Sequence, residues 1–242
     1  SGQGLYEKCV QIFRLTDEAK QQVSDLTQHD VGSLSFSCPT SLGETLTTAL
    51  VNDFRKEMPL VALNINLRNE MVDVLHGDHD LALRASDILH DDVIAKYLGQ
   101  IKDVIVASPN LISTMDCIAK PSDLYGKPCL LNSHKSQWNN WSFTNSSGEL
   151  FNIEVNGTIT ANQYTLQKNF AIHGMGIAKL PLYAVENEIK SGRLVRLLED
   201  YQITTHPLYV VHAKRTPLPK KVELFKQLIW QWSKTNHHYF IR

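Results

Sequence analysis

From residue 32 to residue 83 the apolar residues change period in a set order, and that order restricts the folds open to the chain. Leu34, Phe36 and Cys38 alternate with Ser33, Ser35 and Ser37, the period of two that a strand with unlike faces requires. Pro39 ends this strand. Ser41-Leu42-Gly43-Glu44 has the spacing of a capping box, in which Ser and Glu satisfy each other's free backbone N–H groups. It predicts a helix capped by Ser41, with Leu46, Leu50 and Phe54 on one face. The helix stops before Met58-Pro59, because proline disfavours helical backbone in the preceding residue. Val61, Leu63, Ile65 and Leu67 alternate as a second strand. A short helix through Val72 and Leu75 ends near Gly77, and Leu81-Ala82-Leu83 forms a third strand. Strand, helix, strand, helix, strand implies parallel strands with crossover helices on the faces of the sheet. Ligands of such sheets bind beyond the carboxyl ends of the strands. Two loops are marked on that ground: Pro39-Thr40-Ser41 and Arg84-Ala85-Ser86.

Residues 93–98 and 101–107 are expected to continue this sheet. Pro109 and Pro121 each open a helical turn. A second unit follows: a short strand at Cys129-Leu130-Leu131, a polar loop Asn132-Ser133-His134-Lys135, and a hairpin turning at Asn145-Ser146-Ser147-Gly148. Residues 158–160 form a strand, and Asn162 is the expected cap of a helix that ends at Gly174. Residues 176–180 form a strand, and Pro181 starts the next helix. A strand at 208–212 and a helix carrying Val222, Phe225, Leu228, Ile229 and Trp232 complete the chain. The expected organisation is a first lobe of residues 31–113 with 208–235, a second lobe of 114–207, and a separate segment 1–30. The crossings fall near 108–114 and 205–209.

In segment 1–30, Leu5, Cys9, Ile12, Leu15, Ala19, Val23 and Leu26 recur at spacings of three and four, a narrow stripe on a long helix. It suits packing on a partner helix, with packing on its own domain as the alternative. The net charge is −1 with Lys and Arg scattered, so no basic face for gripping nucleic acid is visible. The longest apolar runs, such as Val104-Ile105-Val106-Ala107, fall far short of the about 20 residues of a membrane span. Cys9, Cys38, Cys117 and Cys129 form no C-x-x-C pair, which suits a reducing, cytoplasmic setting; the polar N-terminus shows no signal peptide. Cys38 and Cys129 read as buried, inert thiols, with a redox role as the alternative. His76-Gly77-Asp78-His79-Asp80 offers metal-ligand types but no clear third ligand. Gly174-x-Gly176 precedes a strand and has Lys179 where a dinucleotide fingerprint needs Gly. No nucleophile elbow or paired acid and base is present, so no catalytic residue, cofactor or metal is expected.

Several segments, taken in order, resemble the regulatory domain of LysR-type transcriptional regulators. Gly4-Leu5-Tyr6-Glu7 resembles the tail of the family's helix-turn-helix domain entering its linker helix. Gly32 to Pro39 resembles the first regulatory strand, and Phe54-Arg55-Lys56-Glu57-Met58-Pro59 resembles its F-x-x-x-(Y/H)-P helix end. Asp80-Leu81-Ala82-Leu83-Arg84 resembles the D-L-A-I-R strand. Ala107-Ser108-Pro109 resembles the A-S-P-x-Y-L turn, although Asn110-Leu111 departs from it. Pro121-Ser122-Asp123-Leu124 resembles P-x-D-L, and Gly174-Met175-Gly176-Ile177-Ala178-Lys179-Leu180-Pro181 resembles G-x-G-I-A-x-L-P. Each motif is short; the joint order over nearly the whole chain is what is specific. The segment 138–143 with the hairpin after it resembles one subgroup. The resemblance implies an α/β fold of two Rossmann-like lobes, of the periplasmic-binding-protein type 2 kind, with a central cleft and a long N-terminal helix in front. It implies a bacterial sensing domain that binds a small effector and associates with itself as a dimer or tetramer, using residues 45–57. Promoter DNA would be met only through an N-terminal winged helix-turn-helix domain that this chain does not include. A periplasmic solute-binding protein of a transporter shares the lobes and is the alternative; the N-terminal stripe and the missing signal peptide point away from it.

In this family the effector lies between the lobes. Carried onto this chain, the lining is Pro39, Thr40, Ser41, Arg84, Ala85, Ser133, His134, Asn162, Gln163 and Gly176. Thr40 and Ser41 sit at a helix N-terminus, where free N–H groups favour an anion; capping by Ser41 is compatible with that. Arg84 can meet a carboxylate bidentately or form a local ion pair. His134 and Lys135 either add positive charge or belong to a solvated loop. Lys179 interrupts an apolar run, and its expected course is to solvent, with the cleft as the alternative.

Overall fold

The structure is a computed structural model that describes residues 31–69, 79–85, 93–133, 136–203, 206–214 and 217–241, with isolated positions 2, 4, 5, 8, 9, 12 and 16. The chain divides into two compact units, Ser1–Leu98 with Leu208–Thr235 and Gly99–Pro207 with Asn236–Arg242. In chain order the elements are β1 (Gly32–Cys38), α1 (Thr40–Glu57), β2 (Val61–Leu67), β3 (Leu81–Ala85), β4 (Val93–Ile101), β5 (Asp103–Ala107), α2 (Pro109–Ile112), β6 (Leu130–Asn132), β7 (Asn140–Thr144), β8 (Leu150–Glu154), β9 (Ile159–Ala161), α3 (Tyr164–Ile172), β10 (Ala178–Pro181), α4 (Leu182–Lys190), β11 (Val195–Leu197), β12 (Gln202–Ile203), β13 (Pro207–Ala213), α5 (Lys220–Thr235) and β14 (Phe240–Ile241).

In unit 1 the sheet order is β4-β13-β3-β1-β2. β1 pairs parallel with β2 from Gly32↔Val61 to Cys38↔Leu67, and parallel with β3 at Phe36↔Leu81. β13 runs antiparallel to β3, with Tyr209 opposite Arg84. The alternation in β1 sends Leu34, Phe36 and Cys38 into the core, where all three are fully buried. Leu46, Leu50 and Phe54 of α1 cover that face, and Phe225 of α5 closes it, with its ring 4.9 Å from Phe36 and 5.3 Å from Phe54. The predicted capping box does not form. α1 begins at Thr40 with Pro39 as its N-cap, and there is no side-chain cap hydrogen bond. Ser41 lies inside the first turn, and its carbonyl accepts from Thr45 Oγ1 at 3.1 Å. Gly43 brings this turn close to the sheet: a Cβ there would stand 2.3 Å from Leu67 Cδ2 and 2.7 Å from Cys38 Sγ.

The structure also corrects the expectation for residues 101–107. β4 joins the first sheet, but β5 is the central strand of β10-β5-β11 in unit 2, antiparallel to both neighbours. The unbroken run Val104-Ile105-Val106-Ala107 explains why, because such a strand needs apolar cover on both faces. Ile105 and Ala107 enter a core with Trp141, Phe143, Ile153 and Ile177, while Val104 and Val106 enter another with Leu130, Ala171, Leu180 and Val185. The first boundary between the units therefore falls at Leu98–Gly99, ahead of β5. The hairpin forms as β7 and β8, paired from Asn140↔Glu154 to Thr144↔Leu150. Gln163, not Asn162, is the N-cap of α3, with no side-chain cap bond. The helix ends where expected, at Gly174 with φ +73, a left-handed conformation that costs glycine little.

At the N-terminus, Leu5, Lys8, Cys9, Ile12 and Thr16 have helical backbone, and Thr16 Oγ1 donates to the Ile12 carbonyl at 2.9 Å. Leu5 and Ile12 of the stripe are 68% and 61% exposed. Leu15, Ala19, Val23 and Leu26 lie outside the described residues, as do Val72, Leu75, His76, Gly77, Asp78 and Ser86. Among the described residues no helix is long and apolar enough to cross a membrane, and no cluster of three metal-ligand types occurs.

Candidate functional site

In unit 1, parallel pairing brings the carboxyl ends of β1 and β3 side by side, and Arg84 sits on that edge. It is buried, at 7% exposure. Its Nη2 donates to Ser37 Oγ at 2.9 Å and its Nη1 donates to the Leu83 carbonyl. Among the described residues its buried Nε has no hydrogen-bond partner. Burial lowers the guanidinium pKa to about 10, opposed by the neighbouring Cys38. Ala85 beside it is exposed. The first turn of α1 carries Pro39, Thr40 and Ser41; the Thr40 N–H donates to Asn69 Oδ1 at 3.0 Å, and Ser41 is buried. The backbone N–H groups of this turn form the positive end of an 18-residue helix.

In unit 2, β6 and β9 pair in parallel, with Asn132 opposite Ala161, and the Ser133 N–H continues the ladder to the Ala161 carbonyl at 3.2 Å. Ser133, Asn162 and Gln163 are thereby gathered at the carboxyl ends of these two strands. Gly176 stands toward the other end of β6, where a Cβ would meet Leu130 Cδ2 at 3.0 Å and the Pro128 carbonyl at 3.1 Å. Its role in the fold is close packing. His134 and Lys135 lie outside the described residues.

Unit 2 also holds a pocket that sequence analysis did not assemble. Its empty volume, open mouth included, is about 310 Å³, and its lining includes Asp103, Asn132, Trp138, Tyr164, Lys179 and His206. Lys179 lies against this pocket, contrary to its expected course into solvent. β5 and β10 explain the juxtaposition: Asp103 faces Pro181 and Ile105 faces Lys179, so Asp103 and Lys179 are diagonal neighbours on one face. Burial raises the pKa of the Asp103 carboxyl, opposed by Lys179 and His206. Burial lowers that of Lys179, opposed by Asp103, and raises that of Tyr164 well above the usual phenol value. Two amides brace the walls. Asn139 accepts from the Asn132 N–H at 2.8 Å and donates to its carbonyl at 3.0 Å. Gln167 donates to the carbonyls of Leu131 at 3.2 Å and Ala161 at 2.8 Å. The signal that could have found Lys179 is its place in an otherwise apolar strand. Asp103, Tyr164 and His206 gave none, because only tertiary packing brings them to it.

Residues 27–234 match the profile of the LysR substrate binding domain. The chain belongs to that family. This LysR-type regulatory domain is 25% identical over 222 residues to an HTH-type transcriptional regulator of Haemophilus influenzae, covering 92% of this chain and 77% of the relative. It is 24% identical over 232 residues to the HTH-type transcriptional regulator DmlR of Escherichia coli, covering 96% and 75%. Its fold is similar to that of the full-length virulence activator AphB of Vibrio cholerae (TM-score 0.76, 22% identity, 96% of this chain and 79% of that one). It is also similar to the CrgA regulatory domain of Neisseria meningitidis (TM-score 0.74, 22% identity, 84% and 98%). The fold is the mixed α/β, periplasmic-binding-protein type 2 architecture of these domains. The LysR-type regulatory domain is the effector-binding part of a bacterial transcriptional regulator and does no chemistry; such regulators sense small effectors and oligomerise.

Proposed function

We propose that this domain senses a small carboxylate or other small anion, with Arg84 as its anchor in unit 1. The observation that carries this reading is the buried Arg84 guanidinium at the carboxyl ends of β1 and β3, with Nη1 and Nη2 engaged and Nε unpartnered among the described residues. A buried guanidinium is stabilised by an anionic partner that matches its planar fork. The first turn of α1 adds a favourable helix dipole. Within unit 2, Ser133, Asn162 and Gln163 at the carboxyl ends of β6 and β9 are proposed effector contacts, with His134 next to Ser133 in the sequence. Effector binding favours one arrangement of the subunits over another by binding it more tightly. Self-association, as a dimer or tetramer, uses residues 45–57 of α1. Promoter DNA is contacted by the helix-turn-helix domain of the full-length regulator, in the cytoplasm.

Thermal-shift titration with a panel of small mono- and dicarboxylic acids tests the anchor. A ligand present at a hundredfold excess over its Kd stabilises by about 2.7 kcal/mol, a readily measured shift. At least one acid is expected to raise the melting temperature of the wild type and to lose that effect in Arg84→Ala. An equal response in a folded Arg84→Ala protein removes Arg84 from the site. Arg84→Lys, which keeps the charge but not the fork, is expected to respond weakly.

A further inference from the structure

The chain passes between the two units at Leu98–Gly99, at Pro207–Leu208 and again at Thr235–Asn236. The last residues of a domain are ordinarily poorly ordered unless something ties them down. Here α5 ends at Thr235 in unit 1, and Asn236–Arg242 belongs to unit 2. A short 3-10 turn, His237–Tyr239, leads into β14. Tyr239 and Phe240 are buried. The Tyr239 hydroxyl donates to Glu186 Oε2 on α4 at 2.7 Å, and its ring stands edge-on to that of Tyr183, 6.3 Å away. This bond is the largest of the effects that hold the Glu186 carboxyl below its ordinary value, so the acceptor is a carboxylate and the bond is charge-assisted. His238 Nε2 lies 3.2 Å from the other oxygen of Glu186.

The backbone of the same segment is tied to the first passage. β14 runs antiparallel to the end of β4, with Phe240 opposite Ile101 and Ile241 opposite Gln100. The Lys102 N–H donates to the Tyr239 carbonyl at 2.8 Å, whereas the Ile101 N–H donates to the His206 carbonyl at 3.0 Å. Successive N–H groups of a strand point to opposite edges, so residues 100–102 hold the second passage on one edge and the C-terminal segment on the other. Gly99 permits the close approach: its φ is +145, and a Cβ there would stand 2.9 Å from Phe240 Cβ. The passages are thus joined side by side within unit 2. Two paired strands alone are marginal, and a third makes such a ribbon persistent.

We propose that residues 236–241 are a strap that stiffens the hinge between the units, with the Tyr239–Glu186 hydrogen bond as its latch. With the strap docked, the passages move as one three-stranded ribbon. With it released, the first two passages are left as a pair and the units turn more freely about them. A ligand that prefers one arrangement of the units acts through this hinge. The strap does not depend on Arg84 or on the identity of the effector.

Hydrogen exchange and pulsed dipolar spectroscopy on the whole 242-residue chain test the strap. Spin labels are attached through Gln227→Cys in unit 1 and Ser147→Cys in unit 2, both exposed positions, with Cys9 and Cys117 replaced by serine. Labelled chain is diluted into excess unlabelled chain, so that only distances within one copy are read. Tyr239→Phe keeps the ring and removes the donor. It is expected to speed exchange at the Lys102 amide by about tenfold or more, the loss of one hydrogen bond to a charged group, and to broaden the distance distribution between the units. Glu186→Gln is expected to act in the same direction, and a chain ending at Thr235 to broaden the distribution further. Lys190→Ala removes the 3.0 Å ion pair of Glu186 within α4 but leaves the strap, and is expected to keep the wild-type distribution. A folded Tyr239→Phe protein with faster exchange and an unchanged distribution overturns the proposal, and so does one with unchanged exchange. A wild-type distribution as broad as that of the shortened chain overturns it too, as does equal broadening by Lys190→Ala. If the shortened chain does not fold, the comparison of Tyr239→Phe and Glu186→Gln with the wild type decides alone.

Discussion

Cys129, at the entry to β6, is 2% exposed, and burial pushes its thiol up to about 12. Cys38 is pushed up to about 12 by burial as well, with Arg84 pulling it down less strongly. The thiolate is the reactive form, so both are inert near neutrality, which favours the structural role over the redox one. An exposed thiol is present at Cys117. Ellman's reagent on the native protein near neutral pH is expected to label Cys117 and to spare Cys38 and Cys129. The raised values also make stability depend on pH. Unfolded thiols ionise near 9.0, while the folded ones hold their protons to about 12. Above the lower value the unfolded state binds fewer protons, so stability is fully present below it and falls as pH rises toward the upper one. Each buried thiol accounts for a loss of about 2 kcal/mol by about pH 10.5. Urea unfolding at neutral and alkaline pH checks this: Cys129→Ala is expected to lose less stability on going alkaline than the wild type, and equal losses would contradict it.

Elements differ in how plainly their sequence announces them. β1, α1 and β2 were legible because their apolar residues recur on one face, as Leu34, Phe36 and Cys38 do in β1 and Leu46, Leu50 and Phe54 in α1, which writes each period into the chain. Their first residues were less legible. Ser41 and Asn162 are good caps by composition, yet Pro39 and Gln163 hold those positions, because the loop's path into each helix is set by packing such as Gly43 on Leu67 and Cys38. α5 is more informative at the level of packing than of pattern. Its Phe225 is fully buried and touches rings from both β1 and α1, so it joins three elements at one point. Phe225→Ala is expected to cost about 3–5 kcal/mol, measured as a lowered urea midpoint by circular dichroism. Gln231→Ala, on the exposed side of the same helix, is expected to stay within about 0.5 kcal/mol of the wild type.

For the molecule as a whole, the membership in the LysR family sets an expectation about assembly. Light scattering of the chain at micromolar concentration is expected to return at least twice the 27.4 kDa of one copy, and a single-copy mass across that range would contradict self-association through α1. Amphipathic period and short motifs are local properties, so the α/β class, the order of most elements, the family, and Arg84 with the α1 N-terminus as a candidate anion site could be read along the chain. Tertiary structure decided which sheet each strand joins. The run 104–107 looks the same in any sheet, and only its partners β10 and β11 assign it to unit 2. It also decided the pocket of unit 2. Asp103, Tyr164, Lys179 and His206 are far apart along the chain, and no local pattern records that the fold sets them around one cavity. Segment 1–30 kept its helical backbone at the described positions, while what its stripe packs against is a property of neighbours that a periodicity cannot name.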